Sequence, residues 1–176
     1  MTVSALMKRA RRVYYQICRN RGLVVKKRFS ELLDEVRKVV AGKGDEWGRL
    51  RAVCDLLYES VEHYDWVGFY IAEEGGKVLV LGPYRGKPTE HIKIEVGRGV
   101  CGRVAQSKQP VIIDDVSKEK DYLACDPEVR SEIAVPVFKA GEFVAELDID
   151  SRQASAFGED DLHFLRQVAA LVAPLF

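Results

Sequence analysis

The sequence predicts an α+β domain in which helices come first, an antiparallel sheet follows and a helix closes the chain. Three observations carry that expectation. Apolar residues recur at helical spacing through the first third, short β-branched and aromatic runs replace them after Tyr64, and helical spacing returns after Phe157-Gly158.

Taken in order, Ala5, Leu6, Ala10, Val13, Tyr14 and Ile17 lie between basic residues and describe an amphipathic helix over 4–18, ended near Arg21-Gly22. A second helix is expected to start at Ser30, whose hydroxyl caps free amides, and to run through Leu32, Leu33, Val36, Val39 and Val40 until Gly42. A third is expected from Glu46 to about His63, burying Leu50, Val53, Cys54, Leu57 and Val61. Trp66 to Ala72 and Val78 to Gly82 read as a hairpin across Glu73-Glu74-Gly75-Gly76-Lys77. Further strands are expected at His91 to Val96, Pro110 to Ile113, Ile133 to Phe138 and Glu142 to Ile149, with Ala140-Gly141 turning between the last two. Acids at Glu159 and Asp160 suit the first turn of the closing helix, whose apolar residues are Leu162, Leu165, Val168, Leu171 and Val172.

With 176 residues, 47% apolar and 31% charged, the composition is that of a globular domain with a real core. No stretch approaches the roughly 20 consecutive apolar residues of a membrane span. Residues 1–12 lack the apolar run of a signal peptide, so the expected location is the cytoplasm. The formal net charge is zero, yet the segment before Glu31 is strongly basic, from Lys8 and Arg9 to Lys27 and Arg28. Such a segment touches nucleic acid or an anionic membrane in some proteins, but it shows no recognisable nucleic-acid-binding motif, and a solvated helix face packed on an acidic remainder or a dimer mate is the plainer reading. No repeat or Pro/Ser linker divides the chain.

Cys18, Cys54, Cys101 and Cys125 are scattered, with no C-x-x-C pair and no histidine cluster, so a zinc site is not expected. In a reducing compartment such cysteines usually serve as small apolar residues. Cys101 lies in Gly97-Arg98-Gly99-Val100-Cys101-Gly102, a glycine-rich loop leading into a short helix expected to begin near Arg103. That loop is either a tight turn alone or a cradle whose amides hold a carboxylate and favour the Cys101 thiolate. Cys125 falls in a segment without periodic pattern, rich in turn residues, where a cysteine is harder to explain as core filler.

Two strands carry alternating faces of interest. Ala145, Leu147 and Ile149 take one side of their strand and Glu146, Asp148 and Asp150 the other. Either that acidic face is exposed, or the mutual repulsion of its carboxylates is relieved by a ligand ammonium or by bound protons. Trp66, Gly68 and Tyr70 likewise share one face opposite Val67, Phe69 and Ile71, so one side suits the core and the other suits either core packing or a pocket wall.

Together, Trp66-Val67-Gly68-Phe69-Tyr70, Val80-Leu81-Gly82-Pro83-Tyr84, Gly97 to Gly102, Leu123-Ala124-Cys125, Ser131-Glu132-Ile133 and Asp148-Ile149-Asp150-Ser151 resemble the GAF-domain free methionine-R-sulfoxide reductases in order and spacing. The resemblance covers residues 45–176 as the GAF domain and leaves 1–44 as a helical extension packed on it. It implies a six-stranded antiparallel sheet with helices on its faces, often in a homodimer, around a pocket for free methionine-R-sulfoxide. It implies Cys125 as nucleophile, Cys101 as resolving thiol, and Glu132, Asp148 and Asp150 as acids that hold the substrate ammonium or supply a proton. Trp66 and Tyr70 would wall the sulfoxide methyl. The resulting disulfide would be reduced by thioredoxin or a similar dithiol, with no metal or organic cofactor.

From the residues themselves, a helix N-terminus makes Cys101 as plausible a thiolate as Cys125, while the accessibility of a loop cysteine favours Cys125. Two departures from the family pattern stand out. His91 occupies the place of a third cysteine in many members, which leaves resolution to Cys101, and Glu146 stands where an aliphatic residue is expected. The competing expectation is a non-catalytic GAF sensor of small molecules or redox state. The absence of an effector module after Phe176 argues against it.

Overall fold

Capping and the alternation of apolar side chains account for the elements of the computed structural model, which describes residues 28–120, 122–123 and 126–176. The expected helix over 4–18 lies outside the described residues. Helix α1 occupies 28–40 and is already helical at residue 28, so Ser30 lies inside it and is not its cap. Helix α2 spans Glu46–Ser60, and its N-terminus is capped by the Asp45 carboxylate, which accepts from the Gly48 amide at 2.6 Å. It stops short of the expected His63 because Val61 turns to an extended conformation.

The strands are β1 (Trp66–Glu73), β2 (Val78–Arg85), β3 (Lys93–Glu95), β4 (Val111–Ile113), β5 (Ser131–Lys139) and β6 (Glu142–Ser151). Helix α3 (Gly99–Ser107) lies between β3 and β4, and α4 (Glu159–Val172) follows β6. Every expected strand is present. Strand β3 is shorter than His91 to Val96, and β2, β5 and β6 extend beyond their expected ends. Among the described residues the six strands form one antiparallel sheet in the order β3-β2-β1-β6-β5-β4. The β5–β6 hairpin turns through Ala140 and Gly141, both at positive φ (52° and 87°), the pairing a two-residue hairpin with right-handed strand twist requires.

One face of the sheet carries Val67, Phe69, Ile133, Val135, Ala145, Leu147 and Ile149 into a core shared with α1, α2 and α4. Phe29, Leu32, Leu33 and Val36 of α1 belong to that core, and the Phe29 ring stacks on Phe164 of α4 with centroids 4.5 Å apart. Full burial of side chains this large contributes about 1.5–3 kcal/mol each. The second face carries the alternate residues of the same strands. Helix α3 packs over it against β5 and β6, with Trp66, Tyr70, Leu79, Ile94, Cys101 and Ala105 forming a separate apolar cluster. No helix among the described residues is long and apolar enough to cross a membrane.

Candidate active site

The second face differs from the first in what β6 places there. Glu146, Asp148 and Asp150 alternate with core residues and are all 0% exposed, so of the two readings of that strand face the exposed one is excluded. The helix α3 layer covers that face, which an edge or single-layer sheet would have left to water.

Cross-strand register sets the neighbours of each acid. Asp148 stands opposite Gly68 of β1 and Ala134 of β5, Asp150 opposite Trp66 and Glu132, and Glu146 opposite Tyr70 and Pro136. The central acid is thus flanked by the two smallest partners. Gly68 is small for a further reason: a Cβ there would lie 2.2 Å from Cη2 of Trp66, whose indole folds along its own strand over the glycine. The indole Nε1 donates to the Lys87 carbonyl at 3.1 Å, and its ring stacks on Tyr84 at 5.4 Å and faces Tyr70 at 6.3 Å. Tyr70 donates its hydroxyl to the His91 carbonyl at 2.9 Å. His91 therefore anchors the aromatic wall through its backbone.

Helix α3 brings the thiol. It begins at Gly99, whose φ of 62° belongs to the left-handed region. The expected start near Arg103 was too late, and Cys101 lies in the first helical turn, 5% exposed, instead of on an open loop. Its Sγ is 3.9 Å from Oε1 of Glu132. One ligand-type atom each of Cys101, Glu132 and Asp148 lies within 4.8 Å of the others. Cys125 lies outside the described residues, as does Cys18. Cys54 is buried in α2, where its thiol donates to the Pro83 carbonyl at 3.4 Å, and burial pushes it far above the ordinary thiol range, which leaves it inert.

Burial dominates the electrostatics. It raises the Asp148 carboxyl to about 7, against the opposing influence of the neighbouring Cys101 and Glu132 side chains. Burial, reinforced by the charges of Asp148, Asp150 and Glu146, holds Glu132 well above the carboxylate range. Burial and Asp148 do the same to Glu146, and burial with Asp148, Asp126 and Asp65 to Asp150. Among the described residues, no hydrogen-bond donor at ordinary distance reaches the carboxylate oxygens of Glu146, Asp148 or Asp150. Buried carboxyls so placed hold protons at neutral pH or await a cationic partner. A carboxyl titrating near 7 beside a thiol is suited to general acid work, and its neighbours to binding an ammonium.

The structure thus brings Trp66, Tyr70, Cys101, Glu132, Asp148 and Asp150 to one face of the sheet. Other residues at the site gave no local sequence signal. Tyr122 lies beside Glu132 and lines an outer cleft of about 330 Å³ with Gly97, Gly99, Val100 and Arg103. Asp126 is held by Lys87 at 3.0 Å and Arg152 at 3.3 Å, both of which also pair with Glu128. These ion pairs join the loop that receives the Trp66 indole to the residue following Cys125, across sequence separations that no motif spans.

The GAF domain family model matches residues 48–174. In sequence the chain is 35% identical over 142 residues to the free methionine-R-sulfoxide reductase of Escherichia coli (strain K12), covering 81% of this chain and 84% of that protein. The X-ray structure of free methionine-R-sulfoxide reductase from Neisseria meningitidis in complex with its substrate superposes with a TM-score of 0.79 at 34% identity, over 84% of this chain and 87% of that one. The type II free methionine-R-sulfoxide reductase from Thermoplasma acidophilum does so with a TM-score of 0.71 at 40% identity, over 74% and 91% of the two chains.

Proposed function

This chain belongs to the GAF-domain free methionine-R-sulfoxide reductase family, a family of oxidoreductases, and from that premise we propose that it reduces free methionine-R-sulfoxide to methionine with two cysteines. The observation that carries the reading is the buried meeting of Cys101, Glu132 and Asp148 beneath the aromatic wall of Trp66 and Tyr70. A thiol, a carboxyl able to exchange a proton near neutrality and an apolar surface are the three things a small sulfoxide needs for reduction.

In the proposed sequence the Cys125 thiolate attacks the sulfoxide sulfur, and a protonated carboxyl, Asp148 foremost, gives its proton to the sulfoxide oxygen. The oxygen passes to Cys125 as a sulfenic acid, and methionine leaves with its sulfur reduced. The Cys101 thiol then displaces water from the sulfenic acid, forming the Cys101–Cys125 disulfide. Thioredoxin or a similar dithiol returns both thiols and is itself oxidised. The balance is one sulfoxide and two thiols giving one thioether, one disulfide and one water. Glu132 and Asp150 bind the substrate ammonium, a role supported by their burial.

The test is incubation of the purified chain with each epimer of free methionine sulfoxide and a dithiol, with both epimers measured separately. Loss of the R-epimer alone supports the reading. Saturable binding of either epimer without methionine formation would make the chain a sensor.

A further inference from the structure

The acid cluster contains more ionisable oxygen than an amino acid's single ammonium can neutralise. Glu132, Asp148 and Asp150 carry the binding role proposed above, and Glu146, where the family pattern leads one to expect an aliphatic side chain, adds a fourth carboxyl on the same face, with neither oxygen hydrogen-bonded among the described residues. The Cys101 side chain lies beside both Glu146 and Asp148 and reaches Glu132 at 3.9 Å. We infer that the Cys101–Glu132–Asp148 cluster is a binding site for a thiophilic divalent cation, of which Zn²⁺ is the type, and that such an ion competes with the amino-acid substrate for the pocket.

The donor set fits. One sulfur and two carboxylate oxygens are ligands that Zn²⁺ accepts in tetrahedral sites, with Zn–S near 2.3 Å and Zn–O near 2.1 Å. Those lengths place a sulfur about 3.6 Å and an oxygen about 3.4 Å from a neighbouring oxygen around the same ion. The observed thiol–carboxylate distance of 3.9 Å is close to that, and no pair in the cluster exceeds 4.8 Å. Side-chain movement of about 1.5 Å or less therefore closes the site.

The second, independent observation is Asp148 itself. It is fully buried, stands opposite Gly68 and Ala134, and meets no hydrogen-bond donor at ordinary distance among the described residues. Glu146 supplies a further carboxyl within the same enclosure, either as a ligand in the fourth position or as the charge that offsets the ion.

The pattern escapes a search for metal motifs because the three ligands come from α3, β5 and β6 and share no local spacing. The inference concerns the same pocket as the proposed function but does not require catalysis.

The test uses Zn²⁺ itself with the reduced full chain and a chromophoric zinc indicator as competitor. One equivalent is expected to bind per chain, and Cys101→Ala, Glu132→Gln and Asp148→Asn are each expected to weaken it by about tenfold or more, the loss of a direct ligand costing at least what loss of a supporting residue does. Cd²⁺ is expected to produce the ultraviolet sulfur-to-cadmium charge-transfer band in the parent chain, and Cys101→Ala to remove it. Three variants guard against one failing to fold, and a circular-dichroism melt of each identifies any that does. Binding retained within twofold in the two carboxylate variants, or a cadmium band that survives Cys101→Ala, overturns the inference by placing the ion on other groups. Added free methionine sulfoxide is expected to release the ion; simultaneous binding of both overturns the competition. Zinc binding without sulfoxide reduction would leave the site standing and remove the catalytic reading.

Discussion

The Cys101 thiol and the Glu132 carboxylate meet at 3.9 Å with both side chains buried. The contact joins the first turn of α3 to the start of β5, and through Glu132, which pairs with Asp150 across the sheet, it ties the thiol to the acidic face of β6. Chemistry at the thiol and the protonation of the acids are therefore coupled.

With dithiol absent, Cys101→Ser is expected to form one methionine per chain and then stop, whereas Cys125→Ser is expected to form none. A nucleophile is needed for chemistry and a resolving thiol only for recycling. Rapid-quench counting of methionine decides it, and a full turnover from Cys125→Ser with none from Cys101→Ser would exchange the two roles.

Asp148→Asn is expected to lower kcat/KM by about 100-fold or more, the lower range of a positioned acid's contribution. Folding stability should hold or rise, because the substitution removes a buried carboxylate that lacks a donor. A rise of 1 kcal/mol would appear as about 2–4 °C in Tm at this chain length. Unchanged kinetics with a lowered Tm would make Asp148 structural.

Stability should fall as pH rises. Asp148 titrates at about 7 in the folded chain and at about 3.9 when unfolded. Between those values the folded state holds a proton that the unfolded chain has lost, so the contribution is complete below the unfolded value and disappears as pH passes the folded one. Glu132, Glu146 and Asp150 are raised in the same direction and extend the decline upward. Melts between about pH 5 and pH 8 are expected to show falling Tm, with a shallower slope in Asp148→Asn. A Tm that climbs across that window contradicts the burial of protonated acids.

Gly68→Ala is expected to cost about 1–3 kcal/mol, since its Cβ must displace the Trp66 indole. The displaced ring disturbs the aromatic wall, so KM should rise together with the loss of stability. Tryptophan fluorescence and a denaturant titration measure both, and an unchanged emission maximum with unchanged stability would show that the indole does not lie over Gly68.

Excess substrate without dithiol is expected to leave a Cys101–Cys125 disulfide with Cys54 reduced. Burial and its bond to the Pro83 carbonyl keep Cys54 a neutral thiol. Alkylation, digestion and mass spectrometry identify the linked peptides, and a predominant link through Cys54 or Cys18 would remove the basis of the two-cysteine mechanism.

The sequence by itself determined the element order, the α+β class and the two faces of β1 and β6, because those follow from side-chain periods that are local to each segment. The family resemblance rested on motifs of the same kind, read one segment at a time. What local pattern could not carry was burial. The charges of Glu146, Asp148 and Asp150 read equally well as a solvated face, and only the packing of α3 over that face shows them enclosed. Cys101 reads as a loop residue from its glycines, yet the left-handed turn at Gly99 starts the helix earlier and turns the thiol toward Glu132. The nearness of Tyr122 to Glu132 and the ion pairs of Lys87 and Arg152 with Asp126 had no sequence signal, since their partners are brought together by strand pairing and loop closure. A carboxyl's protonation depends on who its neighbours are in space, and tertiary structure alone decided that.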